Sequence, residues 1–117
     1  MRRLAVAASA LGCLSAAACG SLAQKRVHAS AAKADTVVMR NIAFNPHTIH
    51  VQAGQTITWV NRDDAPHNVT YVSGPRFTSS ATFKNGGSFT LKLTHPGTIH
   101  YICTIHPGMN GTIVVSR

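Results

Sequence analysis

The sequence contains no glutamate, and its three acidic residues are all aspartates. Paired-carboxylate motifs of acid and base catalysis are absent, and so are the glycine-rich loops that bind phosphate groups. From residue 35 onward, no segment has the apolar period of an amphipathic helix. These absences argue against carboxylate-based and phosphate-binding sites and favour a fold built from strands.

The first segment, residues 1–23, has the features of an export signal. The chain opens with Met-Arg-Arg, and the apolar stretch 4–18 is too short for a comfortable membrane span. Residues 21–23 offer a small-residue cleavage site ahead of Gln24. Lipidation of Cys19, as in a bacterial lipoprotein, is an equal alternative, and an uncleaved anchor is a third. All three predict a location in the periplasm or at the outer face of the cell membrane.

The export signal is followed by a predicted flexible tether over residues 24–34. This segment consists mainly of lysine, arginine, serine, alanine and histidine without an apolar period. The remaining length, residues 35–117, suits one domain with a single hydrophobic core.

Positive charge exceeds negative charge, with a formal net charge of +8. From residue 35 onward, six lysines and arginines accompany three aspartates, which leaves a net charge of +3. These cations are scattered singly among strands and turns, unlike the basic stripe of a nucleic-acid-binding protein. A modestly basic surface favours acidic partners or an anionic membrane instead.

Cysteine is scarce in the predicted domain. Cys13 and Cys19 lie in the export segment, which leaves Cys103 as the one thiol after residue 34. A disulfide within the domain is therefore excluded, and a dinuclear copper centre would need a second cysteine. A lone cysteine in an exported domain must be buried, bind a metal or remain open to oxidation.

Turn-forming residues interrupt the domain about every ten residues, and the segments between them are rich in β-branched and aromatic residues. This pattern predicts an all-β sandwich or barrel of about seven to eight strands. Alternation places Ile99, Tyr101 and Cys103 on the inner face of one strand and turns His100 outward. The predicted strands span 36–41, 48–52, 55–61, 67–72, 88–93, 98–103 and 111–115.

Three candidate metal donors lie three residues apart, at the end of the predicted strand 98–103 and in the segment after it. They are Cys103, His106 and Met109. One thiolate, two imidazoles and a weak axial thioether suit an ion that alternates between Cu(I) and Cu(II). His67, at the start of an earlier predicted strand, supplies the second imidazole. If the two strand ends meet at one pole of the sandwich, the four side chains can bind one copper ion.

With these donors, the segment 36–115 resembles the plastocyanin and amicyanin family of cupredoxins. The Cys-x-x-His-x-x-Met spacing is similar to that of amicyanin, and so are Pro66-His67-Asn68 and the segment 51–59. The resemblance implies a Greek-key β-sandwich. It also implies a type 1 blue copper site that carries single electrons and performs no catalysis.

The resemblance also implies a role for each site residue. His67, Cys103 and His106 would bind the copper, and Met109 would bind it axially at longer range. Asn68 would join the two ligand loops by hydrogen bonds and so fix the ligand geometry. The outer edge of His106 would be the route for the electron. An uncharged docking surface around that edge would include Pro46, Pro66, Pro107 and Gly108.

Two positions depart from the amicyanin pattern. Amicyanins usually carry proline where Ile105 stands and a bulky residue where Gly108 stands. Gly108 would either loosen the ligand loop or leave His106 more exposed.

Several other residues are of types that often occur in functional sites, but we interpret them as structural or surface residues. The adjacent Asp63 and Asp64 predict a solvated turn, and Trp59 predicts a core position or one beneath the site. The histidines interpreted as surface or tether residues are His28, His47, His50, His95 and His100.

We expect a monomer that exchanges electrons with a donor protein and an acceptor protein. A general shuttle and a donor dedicated to one oxidase or dehydrogenase both fit the sequence. Copper storage or delivery is the alternative from another class. Such proteins usually expose clusters of methionine or histidine, whereas Met39 and Met109 are the only methionines after Met1. The sequence therefore favours the electron carrier.

Overall fold

The computed structural model describes residues 34–117. The predicted export signal and all but the last residue of the predicted tether lie outside this part of the chain. Within it, no helix is long and apolar enough to cross a membrane.

Within residues 34–117, eight strands form two four-stranded sheets. The strands are β1 (Ala34–Met39), β2 (Phe44–Asn45), β3 (Thr48–Gln52), β4 (Thr56–Asn61), β5 (Thr70–Ser73), β6 (Ser88–Lys92), β7 (Gly97–Ile102) and β8 (Asn110–Ser116). One sheet has the strand order β2-β1-β4-β6 and the other has the order β3-β8-β7-β5. The consecutive strands β2, β3 and β4 alternate between the sheets, so the chain crosses from one sheet to the other. Strand β1 runs parallel to β4, and β3 runs parallel to β8. The prediction of an all-β sandwich is confirmed.

Six strands lie within two residues of their predicted bounds at each end, whereas β2 is not predicted from the sequence and β5 begins three residues late. The two-residue strand β2 is too short to show an alternating pattern, and Pro46 follows it directly. The strand expected from residue 67 begins only at Thr70. His67 instead forms an isolated bridge with Phe83, in which each backbone N–H donates to the other's carbonyl. This bridge fixes the backbone of His67 before the strand begins.

Apolar side chains alternate along the strands and meet between the sheets. Trp59 of β4 and Tyr101 of β7 are both fully buried. Their rings lie edge to face, with centroids 5.5 Å apart, and Trp59 Nε1 donates to the Tyr101 hydroxyl at 3.2 Å. A Cβ atom at Gly111 would lie 2.4 Å from the Tyr101 ring, so only glycine fits there. The predicted core position of Trp59 is confirmed, and Tyr101 fills the core two residues before Cys103.

Stability at alkaline pH should depend on Tyr101. Burial raises the pKa of Tyr101 to about 12 from its ordinary value of 10.0, despite the hydrogen bond from Trp59. The folded protein therefore keeps the neutral phenol over a pH range in which the unfolded chain ionises. The contribution is complete below pH 10 and is lost as the pH rises towards 12, by up to about 1.4 kcal/mol per pH unit.

Urea unfolding between about pH 9 and about pH 12 measures this loss. The Tyr101→Phe variant has no group to ionise at this position, so its free energy of unfolding should fall less steeply with pH. An equal slope in the two proteins would contradict the prediction.

Candidate metal centre

Two connections at one end of the sandwich contain the predicted metal donors. His67 lies between β4 and β5, and residues 103–109 join β7 to β8. Strands β7 and β8 are antiparallel and pair Ile102 with Asn110. Beyond that pair, the backbone N–H of Cys103 donates to the carbonyl of Met109 at 2.9 Å. The loop 103–109 is therefore closed at its base.

The structure brings His67, Cys103 and His106 together. Sγ of Cys103 lies 3.7 Å from Nδ1 of His67 and 3.9 Å from Nδ1 of His106. The candidate ligand atoms of the three residues all lie within 4.8 Å of one another. Three donor atoms at these distances can contact a single metal ion.

The four predicted donors differ in exposure. His67 is fully buried, and Cys103 and Met109 are each 3% exposed, which confirms the inward orientation of Cys103. His106 is only partly buried. It lines a surface depression of about 280 Å³ together with Cys103 and Met109. One imidazole edge can thus reach solvent while the other donors stay inside.

His67 has one ring nitrogen available for a metal. Its Nε2 lies 2.8 Å from a carboxylate oxygen of Asp63. Because a carboxylate accepts, Nε2 carries the hydrogen and Nδ1 keeps its lone pair on the side of Cys103. A partner that fixes the tautomer and orientation of a histidine in this way is typical of metal sites.

Asp63 also anchors a neighbouring turn. The predicted turn is present and Asp64 is exposed, but the Asp63 side chain is only 13% exposed, so the solvated interpretation is wrong for that side chain. One carboxylate oxygen accepts from the backbone N–H of Asn41 at 2.7 Å, and the other accepts from that of Ile42 at 2.9 Å. Both donors lie in the left-handed backbone region, with φ of 58° and 54°. Burial alone would raise the pKa of Asp63, but hydrogen bonds from His67, Ile42 and Asn41 outweigh it and lower the pKa below 3.8.

Replacing Asp63 by asparagine should destabilise the copper-free protein by about 1–3 kcal/mol. Asparagine has one acceptor oxygen, so its NH₂ group would face at least one of the three donors. Urea unfolding measures the change, and Asp64→Asn is the control because Asp64 is exposed. Equal stability of the two variants would show that the Asp63 contacts contribute nothing.

Asn68 joins the two connections, in the position that the resemblance implies. Its side-chain Nδ2 donates to the Thr104 hydroxyl at 2.8 Å, and its Oδ1 accepts from the Thr104 backbone N–H at 3.0 Å. Its own backbone N–H lies 3.5 Å from Sγ of Cys103. Asn68 therefore fixes the residue next to Cys103 and directs a donor at the sulfur.

The other sequence-predicted residues lie at the surface. Pro46, Pro66, Pro107 and Gly108 are exposed. The large apolar side chain of Ile105, also in the ligand loop, is 39% exposed. The four described histidines outside the site are exposed, as the surface interpretation predicts. They are His47, His50, His95 and His100.

The donor set fits copper. A thiolate and two imidazoles with a neighbouring thioether match the ligands that copper electron-transfer sites use. Every buried side-chain nitrogen and oxygen atom in residues 34–117 has a hydrogen-bond partner, so the polar surroundings of the donors are already satisfied without moving them.

Comparisons with known proteins agree with this chemistry. The sequence model described as copper binding proteins, plastocyanin/azurin family, matches residues 31–116. The chain is 33% identical to amicyanin-alpha of Methylorubrum extorquens, over 98% of this chain and 99% of that protein. It is 36% identical to amicyanin of Paracoccus denitrificans, over 84% of each. A solved structure of the Cu(I) form of an amicyanin variant aligns with a TM-score of 0.68 and 35% identity, over 75% of this chain and 87% of that one.

Proposed function

The chain belongs to the plastocyanin/azurin family of copper-binding proteins, and from that premise we propose that His67, Cys103, His106 and Met109 bind its copper ion. The two histidines would bind through Nδ1, Cys103 through its thiolate and Met109 through its thioether. The proximity of the first three donors supports this assignment. The burial of Met109 beside two of them supports the fourth.

The protein is a type 1 copper protein that carries one electron at a time between redox partners, and it is not an enzyme. Copper supplies the one-electron chemistry by alternating between Cu(I) and Cu(II). The chain supplies a site whose donors stay in place. Hydrogen bonds with Asp63, which accepts from His67, and with Asn68, which donates to Thr104, hold the ligand residues or their neighbours, so little reorganisation accompanies electron transfer.

The hydrogen bond between His67 and Asp63 is the observation that carries the ligand assignment. It leaves Nδ1 of a fully buried imidazole 3.7 Å from the one thiol of residues 34–117. In the copper-free protein this Nδ1 can accept from the Cys103 thiol, and the same lone pair can bind a metal ion that replaces the thiol hydrogen.

The partly exposed edge of His106 is the proposed route for the electron. Exposed residues without charge line the same surface depression, among them Pro107 and Gly108. A surface of this kind can approach a partner closely because few polar groups must be desolvated. We propose that donor and acceptor proteins dock there, one at a time, on a monomer.

The protein works outside the cytoplasm. More narrowly, we propose that residues 1–23 direct export to the periplasm or to the outer face of the membrane. The export signal would either be cleaved before Gln24 or be processed as a lipoprotein signal at Cys19. In the second case the lipid on Cys19 would tether the domain 35–117 to the membrane.

Copper storage or delivery is not favoured. Met39 and Met109 are both buried, so the described residues offer no exposed methionine to pass Cu(I) to an acceptor. Carriers of single electrons keep their metal during the redox cycle.

Repeated reduction and oxidation of the Cu(II)-loaded protein tests the proposed function. We expect an intense visible band from thiolate-to-copper charge transfer that disappears on reduction and returns on oxidation, with copper content unchanged. Loss of copper to a chelator on the first reduction would support delivery and contradict the carrier.

A further inference from the structure

The corner between β2 and β3 contacts the ligand loop through His47. Nε2 of His47 lies 2.7 Å from Oδ1 of Asn110, the first residue of β8. The backbone of His47 is fixed as well, because its carbonyl accepts from the N–H of Thr112 at 2.9 Å. His47 therefore presents its ring to Asn110 from a backbone that is already attached to β8.

The amide of Asn110 makes a second contact, with the loop itself. Its Nδ2 donates to the carbonyl of Gly108 at 3.2 Å. Since an amide nitrogen only donates and its oxygen only accepts, Oδ1 must accept from an N–H group on Nε2 of His47. The N–H of His47 and the carbonyl of Gly108 therefore favour the same orientation of the Asn110 amide, with Oδ1 towards His47 and Nδ2 towards Gly108.

The carbonyl of Gly108 and the N–H of Met109 belong to the same peptide unit. Its N–H donates to the carbonyl of His106 at 3.2 Å, and the next carbonyl, that of Met109, accepts from Cys103. These two bonds lie within the loop. Within residues 34–117, one hydrogen bond connects this peptide to a part of the fold outside the loop. It is the bond from the Asn110 amide, whose oxygen contacts His47.

Gly108 itself gives the loop little support. Its φ is +84°, a region that side chains rarely adopt, and a Cβ built there would contact nothing. Glycine loses more conformational freedom on ordering than any other residue. The loop therefore lacks both the restricted backbone and the side-chain packing that another residue would provide beside Met109.

We propose that His47 is a positioning residue for Met109: through Asn110 it holds the Gly108–Met109 peptide and so fixes where the thioether stands relative to Cys103. The inference rests on the proposed function in one respect, the assignment of Met109 as axial ligand. His47 and Asn110 are both exposed, so the contact acts on the loop and leaves the core unchanged.

Amide hydrogen exchange in the copper-free protein tests the contact without any metal. In His47→Ala, the amides of Cys103 and Met109 should exchange about tenfold faster, the factor expected for the loss of one hydrogen bond. The amide of Ile99 in the core should be unaffected. His47→Gln, which can place an amide N–H near the position of Nε2, should restore the slow rates. His50→Ala, which removes an exposed histidine of β3, should leave them unchanged.

The midpoint potential of the copper-loaded protein tests the consequence. A thioether held less firmly donates less to Cu(II), so His47→Ala and Asn110→Ala should both raise the potential, and the double variant should raise it no further. In a Met109→Leu background, His47→Ala should not change the potential, because no axial sulfur remains to be positioned.

Three results would overturn the proposal. One is an exchange rate in His47→Ala that matches the parent, another is faster exchange across the whole domain, and the third is a potential that responds to His47→Ala after Met109 is gone. If Met109→Leu alone left the spectrum and potential unchanged, the ligand assignment would fail, whereas the exchange rates would still decide whether His47 holds the loop.

Discussion

Replacing Cys103 by serine should abolish the visible absorption of the Cu(II)-loaded protein. The absorption requires charge transfer from a thiolate to copper, and Cys103 is the one cysteine of residues 34–117. Serine has nearly the same shape, but its hydroxyl is a poor ligand for Cu(I) compared with a soft thiolate. We therefore expect the variant to fold, to lose its colour and to bind Cu(I) far more weakly than the parent.

Circular dichroism in the far ultraviolet separates loss of the ligand from loss of the fold. A serine side chain fits the buried position of Cys103, and its oxygen can accept from the Asn68 N–H. The far-ultraviolet spectrum of the variant should therefore match that of the parent. A serine variant that keeps an intense visible band would contradict the assignment of Cys103.

Replacing His67 by alanine should have the second large effect, because it removes a ligand and damages the interior. The side chain is fully buried, so its loss leaves a void, and the Asp63 carboxylate loses one of its donors. Together these changes should lower the free energy of unfolding of the copper-free protein by about 3 kcal/mol. The copper-loaded variant should lack the visible band of the parent.

Exposed His50 on β3 provides the control. His50→Ala should keep both the colour and the stability of the parent, since it alters neither the ligand set nor the core. If His67→Ala retained the parent's band and potential, His67 would not be a copper ligand, whatever its effect on stability.

The sequence predicts the fold class because its strands are long enough to alternate. β3 occurs at its expected bounds, and β4 begins one residue late. β2 escapes prediction because two residues cannot display a period. The start of β5 is displaced because His67 pairs with Phe83 instead of continuing the strand, and such a bridge depends on a distant part of the chain.

The candidate site divides in the same way. Cys103, His106 and Met109 are close in sequence, so their spacing reveals them, and His67 is found because such a site needs a second imidazole. Asp63 escapes prediction although its partner His67 is only four residues away, because the Asn41 and Ile42 backbone N–H groups that hold its carboxylate are about twenty residues away in sequence. The contact between His47 and Asn110 spans 63 positions and has no motif.

X-ray absorption at the copper edge tests the central claim most directly, because it counts the atoms around the ion. The claim is that the thiolate of Cys103 and the imidazoles of His67 and His106 bind one copper ion. We predict one short sulfur scatterer and two nitrogen scatterers, with the sulfur absent in Cys103→Ser. A shell made only of nitrogen and oxygen atoms in the parent protein would contradict the claim.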